Sequence, residues 1–291
     1  MIDVTSEIGD LESVLLHRPG PELERLTPKY LEEMLFEDIP WLKKSREEHD
    51  AFAATLRDHG AEVFYYRDLL VDVLSDEEAR SDLIDRSVDA SRIGSSSLRE
   101  EVRAYLAVMD PAELADVCIA GLEKREIDDR TGPGRLAHYI KEAYPFYINP
   151  LTNLYFSRDP GAVIGNGLAI SAMNTPARHR ESLILSSLHS RHPMFRAEDA
   201  AHSDAGRVPL WYTPDDLDGI EGGDILVLTP HTIAVGCSAR TGAEAVERLA
   251  SRLFSGSSTV REVLVFQIPF VRSFMHLDTV LTMVDRDAFA I

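Results

Sequence analysis

The sequence predicts an α/β fold interrupted by a helical insertion. Three observations predict it: a strand–helix–strand pattern at the N-terminus, a charge-dense helical stretch over 72–145, and β-hairpins that recur after Asn149. Each of those hairpins carries an acid at its start.

The first unit begins with Glu12–Leu16, a short apolar strand stopped by the breaker His17-Arg18-Pro19-Gly20. Thr27-Pro28 then predicts a helix start, with Thr as N-cap and Pro at the first helical position, and an apolar face of Tyr30, Leu31, Met34 and Leu35 that ends at Pro40. A second helix is expected from Leu42 to His59, turning Phe52, Ala53 and Leu56 inward, with Gly60 as its stop. Ala61–Tyr66 returns as a strand, which completes a β-α-β crossover.

Over 72–145 the β-branched runs disappear. Ser75-Asp76-Glu77-Glu78 and Asp110-Pro111-Ala112-Glu113 have capping-box spacing, and Leu114, Val117, Cys118 and Leu122 recur at helical intervals. Gly132-Pro133-Gly134 reads as a loop. The expected division is therefore 1–71 with 146–291 as the α/β body, and 72–145 as an all-helical subdomain.

Asp159, Asp224 and Asp278 each precede a hairpin. The first pairs Ala162–Ile164 with Leu168–Ile170 around Gly165-Asn166-Gly167. The second pairs Ile225–Leu228 with Ile233–Val235, and the third pairs Thr279–Thr282 with Ala288–Ile291. The first two run on into helices, one bearing Glu181, Leu183, Ile184, Leu185 and Leu188, the other Ala245, Val246, Leu249 and Leu253. These are degenerate modules with no strict short period.

Charge and composition exclude some functions. The chain has 291 residues, with Lys+Arg 30 against Asp+Glu 49 and a net charge of −19. This speaks against binding a nucleic-acid backbone and fits a small cationic ligand. Two cysteines, Cys118 and Cys237, make no disulfide framework, which suggests a reducing, cytoplasmic setting. No leader pattern and no spanning apolar run is read, so no membrane partner is expected.

Three clusters could carry chemistry: Asn153–Asp159, Glu221-Gly222-Gly223-Asp224 and His276-Leu277-Asp278. If the modules surround an axis, the hairpin starts gather at one end, and gathered carboxylates repel one another unless a cation satisfies them. A metal ion and an organic guanidinium both fit; one His and no Cys make a poor zinc set, while an oxygen-rich magnesium site stays open. Alternation along a strand would place His276 and Asp278 on one face. Each motif taken alone also reads as turn chemistry.

Taken together the motifs resemble those of arginine deiminases, of the guanidino-group-modifying superfamily. The residues that carry the resemblance are Ser6–Gly9, Val14–Gly20, Leu35–Pro40, Asn153–Pro160, Glu221–Ile225, Gly236–Thr241 and Met275–Thr279. It implies a pseudo-five-fold α/β propeller of the pentein type, here incomplete, that hydrolyses L-arginine to L-citrulline and ammonia without cofactor or metal. Asp159 and Asp278 match the acids that grip the guanidinium, and Glu221 and His276 the groups that move protons. Asn153, Arg240 and an arginine of Arg178-His179-Arg180, taken as Arg178, match the holders of the α-carboxylate. Leu35 matches the carbonyl that meets the α-amino group, while Phe156, Arg158 and Asp224 match positions at or just behind the substrate. The family's nucleophile is a cysteine in a Gly-rich loop near its C-terminus, and this chain stops before that point. The expectation is an incomplete copy, inactive alone, with homo-oligomerisation left open. Two alternatives stand beside it: an arginine-binding or scaffolding remnant, and a deiminase or amidinotransferase for another guanidino compound.

Overall fold

The computed structural model describes residues 2–131, 144–197, 206–271 and 273–291. The polypeptide is mixed α/β and divides into two compact units, Ser13–Tyr155 and Met1–Glu12 with Phe156–Ile291.

In the unit Ser13–Tyr155, β1 (Ser13–Leu16) is followed by a one-turn helix α1 (Pro21–Glu24), α2 (Leu42–Asp58) and β2 (Glu62–Tyr65). The two strands pair in parallel from Ser13↔Glu62 to Leu16↔Tyr65, the crossover expected from the sequence. Gly60, at φ +93°, ends the chain's passage out of α2, a conformation that glycine adopts without Cβ strain.

Two local expectations are corrected here. The helix expected after Thr27 is a single 3₁₀ turn, Pro28–Tyr30, and the Thr27 side chain makes no cap. Leu35 lies at φ +65° and Phe36 N–H donates back to the Leu31 carbonyl at 2.9 Å, so the chain turns out of helix before Pro40. Packing selects this bend, because it sends Met34 into a buried cluster with Leu23, Leu26, Leu42 and Phe146. In α2, Ala53 is fully buried but Phe52 is 52% exposed. The inward stripe runs through Leu42, His49, Ala53 and Leu56, one position round from Phe52.

Helices α3 (Tyr66–Leu74), α4 (Glu77–Asp89), α5 (Ser96–Ala107) and α6 (Pro111–Ala120) follow. Asp76 caps α4 by accepting from Ala79 N–H at 2.8 Å. Asp110 and Glu113 form the full capping box of α6. Such a cap contributes about 1 kcal/mol. Leu114 and Cys118 are buried on α6, whereas Leu122 has left the helix for β3 (Leu122–Glu123), which pairs antiparallel with β4 (Phe146–Ile148). Gly121, at φ +81°, makes that exit; a Cβ there would meet the Ile148 carbonyl oxygen at 2.6 Å. A further helix, α7, spans Lys124–Thr131. The expected loop at Gly132-Pro133-Gly134 lies outside the described residues.

The second unit repeats one topology. Hairpin β5 (Gly161–Ile164)–β6 (Gly167–Ile170) leads through α8 (His179–Arg191) to β7 (Leu210–Tyr212), which pairs in parallel with β6. Hairpin β8 (Ile225–Thr229)–β9 (Thr232–Cys237) leads through α9 (Ala243–Ser255) to β10 (Glu262–Gln267), parallel to β9. A last hairpin joins β11 (Thr282–Asp285) and β12 (Ala288–Ala290). Ala245, Val246, Leu249 and Leu253 bury α9 against Trp211, Ile225, Ile233 and Val235, and each large aliphatic buried there contributes roughly 1.5–3 kcal/mol. The N-terminal segment joins this unit through Val4, which pairs with Gly165. The sheets hold two or three strands, and none closes on itself among the described residues. No described helix is long and apolar enough to cross a membrane.

The third hairpin starts later than the sequence suggests. His276 is extended, Leu277–Thr279 is a 3₁₀ turn, and the strand begins at Thr282. His276 and Asp278 therefore do not alternate along a strand. Thr279 Oγ1–H donates to the His276 carbonyl at 2.6 Å and Leu277 N–H to Asp224 Oδ1 at 2.9 Å, and these bonds hold the turn open.

Candidate active site

The segments at the three hairpin starts converge within the unit Met1–Glu12 with Phe156–Ile291, through Asp159, Glu221 and His276. Asp159, Glu221 and His276 each offer one ligand atom within 4.8 Å of the others, and all three side chains are buried. His276 Nε2 lies 2.8 Å from Glu221 Oε2, and its Nδ1 lies 3.7 Å from Asp159 Oδ1.

Glycine makes this approach feasible. A Cβ on Gly223 would stand 2.7 Å from His276 Nδ1 and 2.8 Å from Asp159 Oδ1, and one on Gly222 would overlap the Arg158 carbonyl. The Glu221-Gly222-Gly223-Asp224 run is thus a close-approach surface as well as a 3₁₀ turn. Gly222 N–H fixes the first acid's backbone by donating to the Asp159 carbonyl at 3.0 Å, and Ser171 Oγ–H donates to the same oxygen at 2.6 Å.

Asp224 sits behind the cluster, fully buried. Its Oδ2 accepts from Ser238 Oγ and Thr241 Oγ1, each at 2.6 Å, and its Oδ1 from Leu277 N–H. Ser238 Oγ in turn accepts from Arg240 N–H at 3.0 Å, and Thr241 Oγ1 from Glu221 N–H at 3.2 Å. One carboxylate therefore ties together the segments bearing Glu221, Arg240 and His276.

The cations are arranged unevenly. Arg178 is buried; its Nη1 donates to Asp159 Oδ2 at 2.6 Å, while Nε and Nη2 donate to Glu181 at 3.0 and 2.8 Å. Arg240 Nη1 approaches Glu221 Oε1 only to 3.9 Å and is buried without a hydrogen bond. Arg158 spans the Glu7 carboxylate, with both contacts at 3.1 Å, and its Nε lies 3.8 Å from Asp278 Oδ2. Arg180 is buried on α8, and Phe156 is 47% exposed. In the other unit, Asn153 Nδ2–H donates to the Met34 carbonyl at 2.9 Å, which brings it to the bend at Leu35.

The proton affinities follow from this arrangement. Burial alone would lower the His276 pKa, but the hydrogen bond to Glu221 and the charges of Asp159, Glu221 and Asp224 outweigh it and raise it. Glu221 is pulled below the usual carboxylate range: burial opposes ionisation, yet His276, Arg178 and Arg240 prevail. Asp224 moves up through burial, which its hydrogen bonds from Ser238 and Thr241 only partly offset. Burial pushes Asp278 up to about 6, against the opposing pull of His276 and Arg158. Arg178 stays firmly charged, because Glu181, Asp159 and Glu221 overcome the effect of burial.

Two carboxylates and one imidazole could ligate a hard divalent ion, but Arg178 already supplies a positive charge to Asp159 and Glu221. Carboxylates beside an imidazole whose proton affinity is raised are equipped to hold a planar cation and pass a proton to a leaving group. The sequence reading did not identify Glu181 as part of this site. Its signal was present: an acid three residues after Arg178, on the apolar stretch of α8. Nothing in the run Gly236–Thr241 signals that Ser238 and Thr241 hold Asp224, a role that the fold alone sets.

Known proteins with similar sequences bear on what this arrangement serves. The family model described as arginine deiminase matches residues 32–291. The chain is 45% identical over 290 residues to an arginine deiminase of Bacillus cytotoxicus, covering 100% of this chain and 68% of that protein. It is 43% identical over 291 residues to an arginine deiminase of Staphylococcus haemolyticus and 44% identical over 291 residues to that of Listeria monocytogenes, with the same coverage. Among solved structures it is similar to a DDAH from Pseudomonas aeruginosa, at 13% identity and a TM-score of 0.49, over 97% of this chain and 69% of that one. An amidinotransferase from Microseira wollei shows 12% identity and a TM-score of 0.45, over 97% of this chain and 67% of that one. With a family model spanning most of its length and relatives at this identity aligned over the whole of this chain, the chain belongs to the arginine deiminase family.

Proposed function

We propose that this chain binds L-arginine for hydrolysis to L-citrulline and ammonia. The observation that carries the reading is the 2.8 Å His276–Glu221 contact beside Asp159, with Asp278 and Arg240 in the same unit. Asp159 and Asp278 grip the guanidinium, and a bound cation draws Asp278 back into its ionised form. Arg240, whose Nη1 carries no hydrogen bond, favours a substrate with an α-carboxylate over agmatine.

In the reaction so proposed, a cysteine thiolate adds to the guanidinium carbon. His276, whose proton affinity the hydrogen bond to Glu221 and the charge of Asp159 raise, gives a proton to the departing nitrogen as the C–N bond breaks and ammonia leaves. The neutral imidazole then takes a proton from water as the water oxygen attacks the same carbon. The C–S bond breaks, which returns the thiolate and releases citrulline. Neither cysteine of this chain suits the first step. Cys118 is buried on α6, and burial together with Asp224 and Glu244 raises the Cys237 thiol, which disfavours its thiolate. The 291-residue chain is accordingly proposed to bind arginine without turning it over. The repeated β-hairpin–helix–strand units are read as modules of a five-module propeller.

Calorimetry with L-arginine and a citrulline assay on the purified chain test this. Binding without turnover is expected, unchanged in Cys237→Ala. Absence of binding overturns the substrate assignment, and citrulline formation above background overturns the claim about the nucleophile.

A further inference from the structure

Arg178 is the one described cation in direct hydrogen-bond contact with Asp159, the acid to which the reading above gives the substrate guanidinium. The contact is between buried groups, Arg178 at 4% and Asp159 at 7% exposure. We propose that Arg178 is an internal occupant of the guanidinium site: its Nη1 holds Asp159 Oδ2 and must release it before a guanidinium ligand can pair with that carboxylate.

Three features support this. First, one carboxylate oxygen of Asp159 is taken: Oδ2 accepts from Arg178, while Oδ1 faces His276 Nδ1 at 3.7 Å, and the backbone carbonyl accepts from Ser171 and Gly222. A ligand guanidinium that pairs bidentately with this carboxylate needs the oxygen that Arg178 holds. Second, Arg178 is tethered on its far side. Its Nε and Nη2 both bond Glu181, itself fully buried, so release tilts the planar fork as a unit about the Glu181 contact, which keeps the charge partnered. Third, the two cations compete. Arg178 also lies 3.9 Å from Glu221 Oε2, so an arriving guanidinium enters beside a planar cation that already serves the same two carboxylates. A ligand that carries a carboxylate, which the Arg178 fork can meet, therefore loses less to this competition than a bare guanidinium.

The proposal rests on the guanidinium-binding reading, and two probes separate the two. Removing Arg178 alone would strand the buried Glu181 charge, so the test uses the double variant R178M/E181M, which replaces both members of the pair with apolar groups. Methylguanidinium and L-arginine are titrated calorimetrically into the parent chain and the variant. Methylguanidinium is expected to bind at least about tenfold more tightly to the variant, equivalent to about 1.4 kcal/mol, while L-arginine loses affinity. If the double variant does not melt cooperatively, Arg178→Lys gives the same comparison, because an ammonium cannot bridge Asp159 and Glu181 as the guanidinium fork does. Methylguanidinium affinity that is unchanged or lower than the parent's overturns the proposal. A parent chain that fails to bind L-arginine overturns the deiminase reading instead, and the methylguanidinium comparison still decides this one.

Discussion

Asp278 is the acid least at ease in its surroundings, and replacing it with asparagine should stabilise the chain at neutral pH. Burial pushes its carboxyl up to about 6, with Asp159 and Asp224 adding repulsion, while His276 and the Arg158 Nε at 3.8 Å do not fully compensate. Against roughly 3.9 in an unfolded chain, about two pH units correspond to at most about 3 kcal/mol. The side chain is 30% exposed, so solvent screening reduces this to about 1–2 kcal/mol. The sign follows from linkage. The folded-state value is raised, so ionisation favours the unfolded chain; the penalty is absent below about pH 4 and complete above about pH 6. Asp278→Asn removes the charge and keeps the shape. Urea unfolding at pH 7.5 should show the variant about 1–2 kcal/mol more stable, with the gap closing near pH 3.5. A variant equal to or less stable than the parent at pH 7.5 would refute the electrostatic reasoning.

The opposite sign is expected for Glu221→Gln, which breaks the buried pair with His276 and costs about 3 kcal/mol. His276, raised in the fold, stabilises it fully below about pH 6.5, and Glu221, lowered, does so above about pH 4.3; the deficit in urea unfolding should be largest between these values, and NMR titration should show the His276 pKa falling. Gly223→Ala places a methyl group 2.7 Å from His276 Nδ1 and 2.8 Å from Asp159 Oδ1, so calorimetry should show arginine affinity lost and thermal unfolding a destabilisation of about 1–3 kcal/mol. Wild-type affinity in that variant would mean that the close approach is not needed.

What the sequence made legible was local. The capping box of Asp110 and Glu113, the stop at Gly60 and the apolar stripe of α9 involve residues within two turns of one another, where spacing alone decides the outcome. The acids at the hairpin starts were legible for a related reason: a module repeated in sequence repeats its geometry, so like positions face like surroundings. The 3₁₀ turn at Pro28 was not legible, because Leu35 adopts a positive φ against its own preference to bring Met34 into the cluster around Leu23 and Phe146. Nor was the bend at Leu277, set by a carboxylate 53 residues earlier in the chain. The pairing of Arg178 with Asp159 was hidden in the same way, since nothing in the run Arg178-His179-Arg180 indicates which carboxylate either arginine will meet.

These long-range contacts also explain why carboxylates so close together behave differently. Glu221 is held ionised because His276, Arg178 and Arg240 all lie on its side of the cluster. Asp224 is satisfied by hydroxyls and an amide, with no cation in direct contact among the described residues, so burial prevails and its pKa rises. Asp278 has His276 and an arginine at 3.8 Å, which burial outweighs, and its pKa rises as well. The cluster is thus charge-balanced at Glu221 and short of positive charge at Asp278. A ligand cation that binds across Asp159 and Asp278 would supply charge where it is lacking, and in doing so would take Asp159 from Arg178. Stability given up at Asp278 is then recovered as ligand affinity, which is the relation expected of a site complementary to a cation.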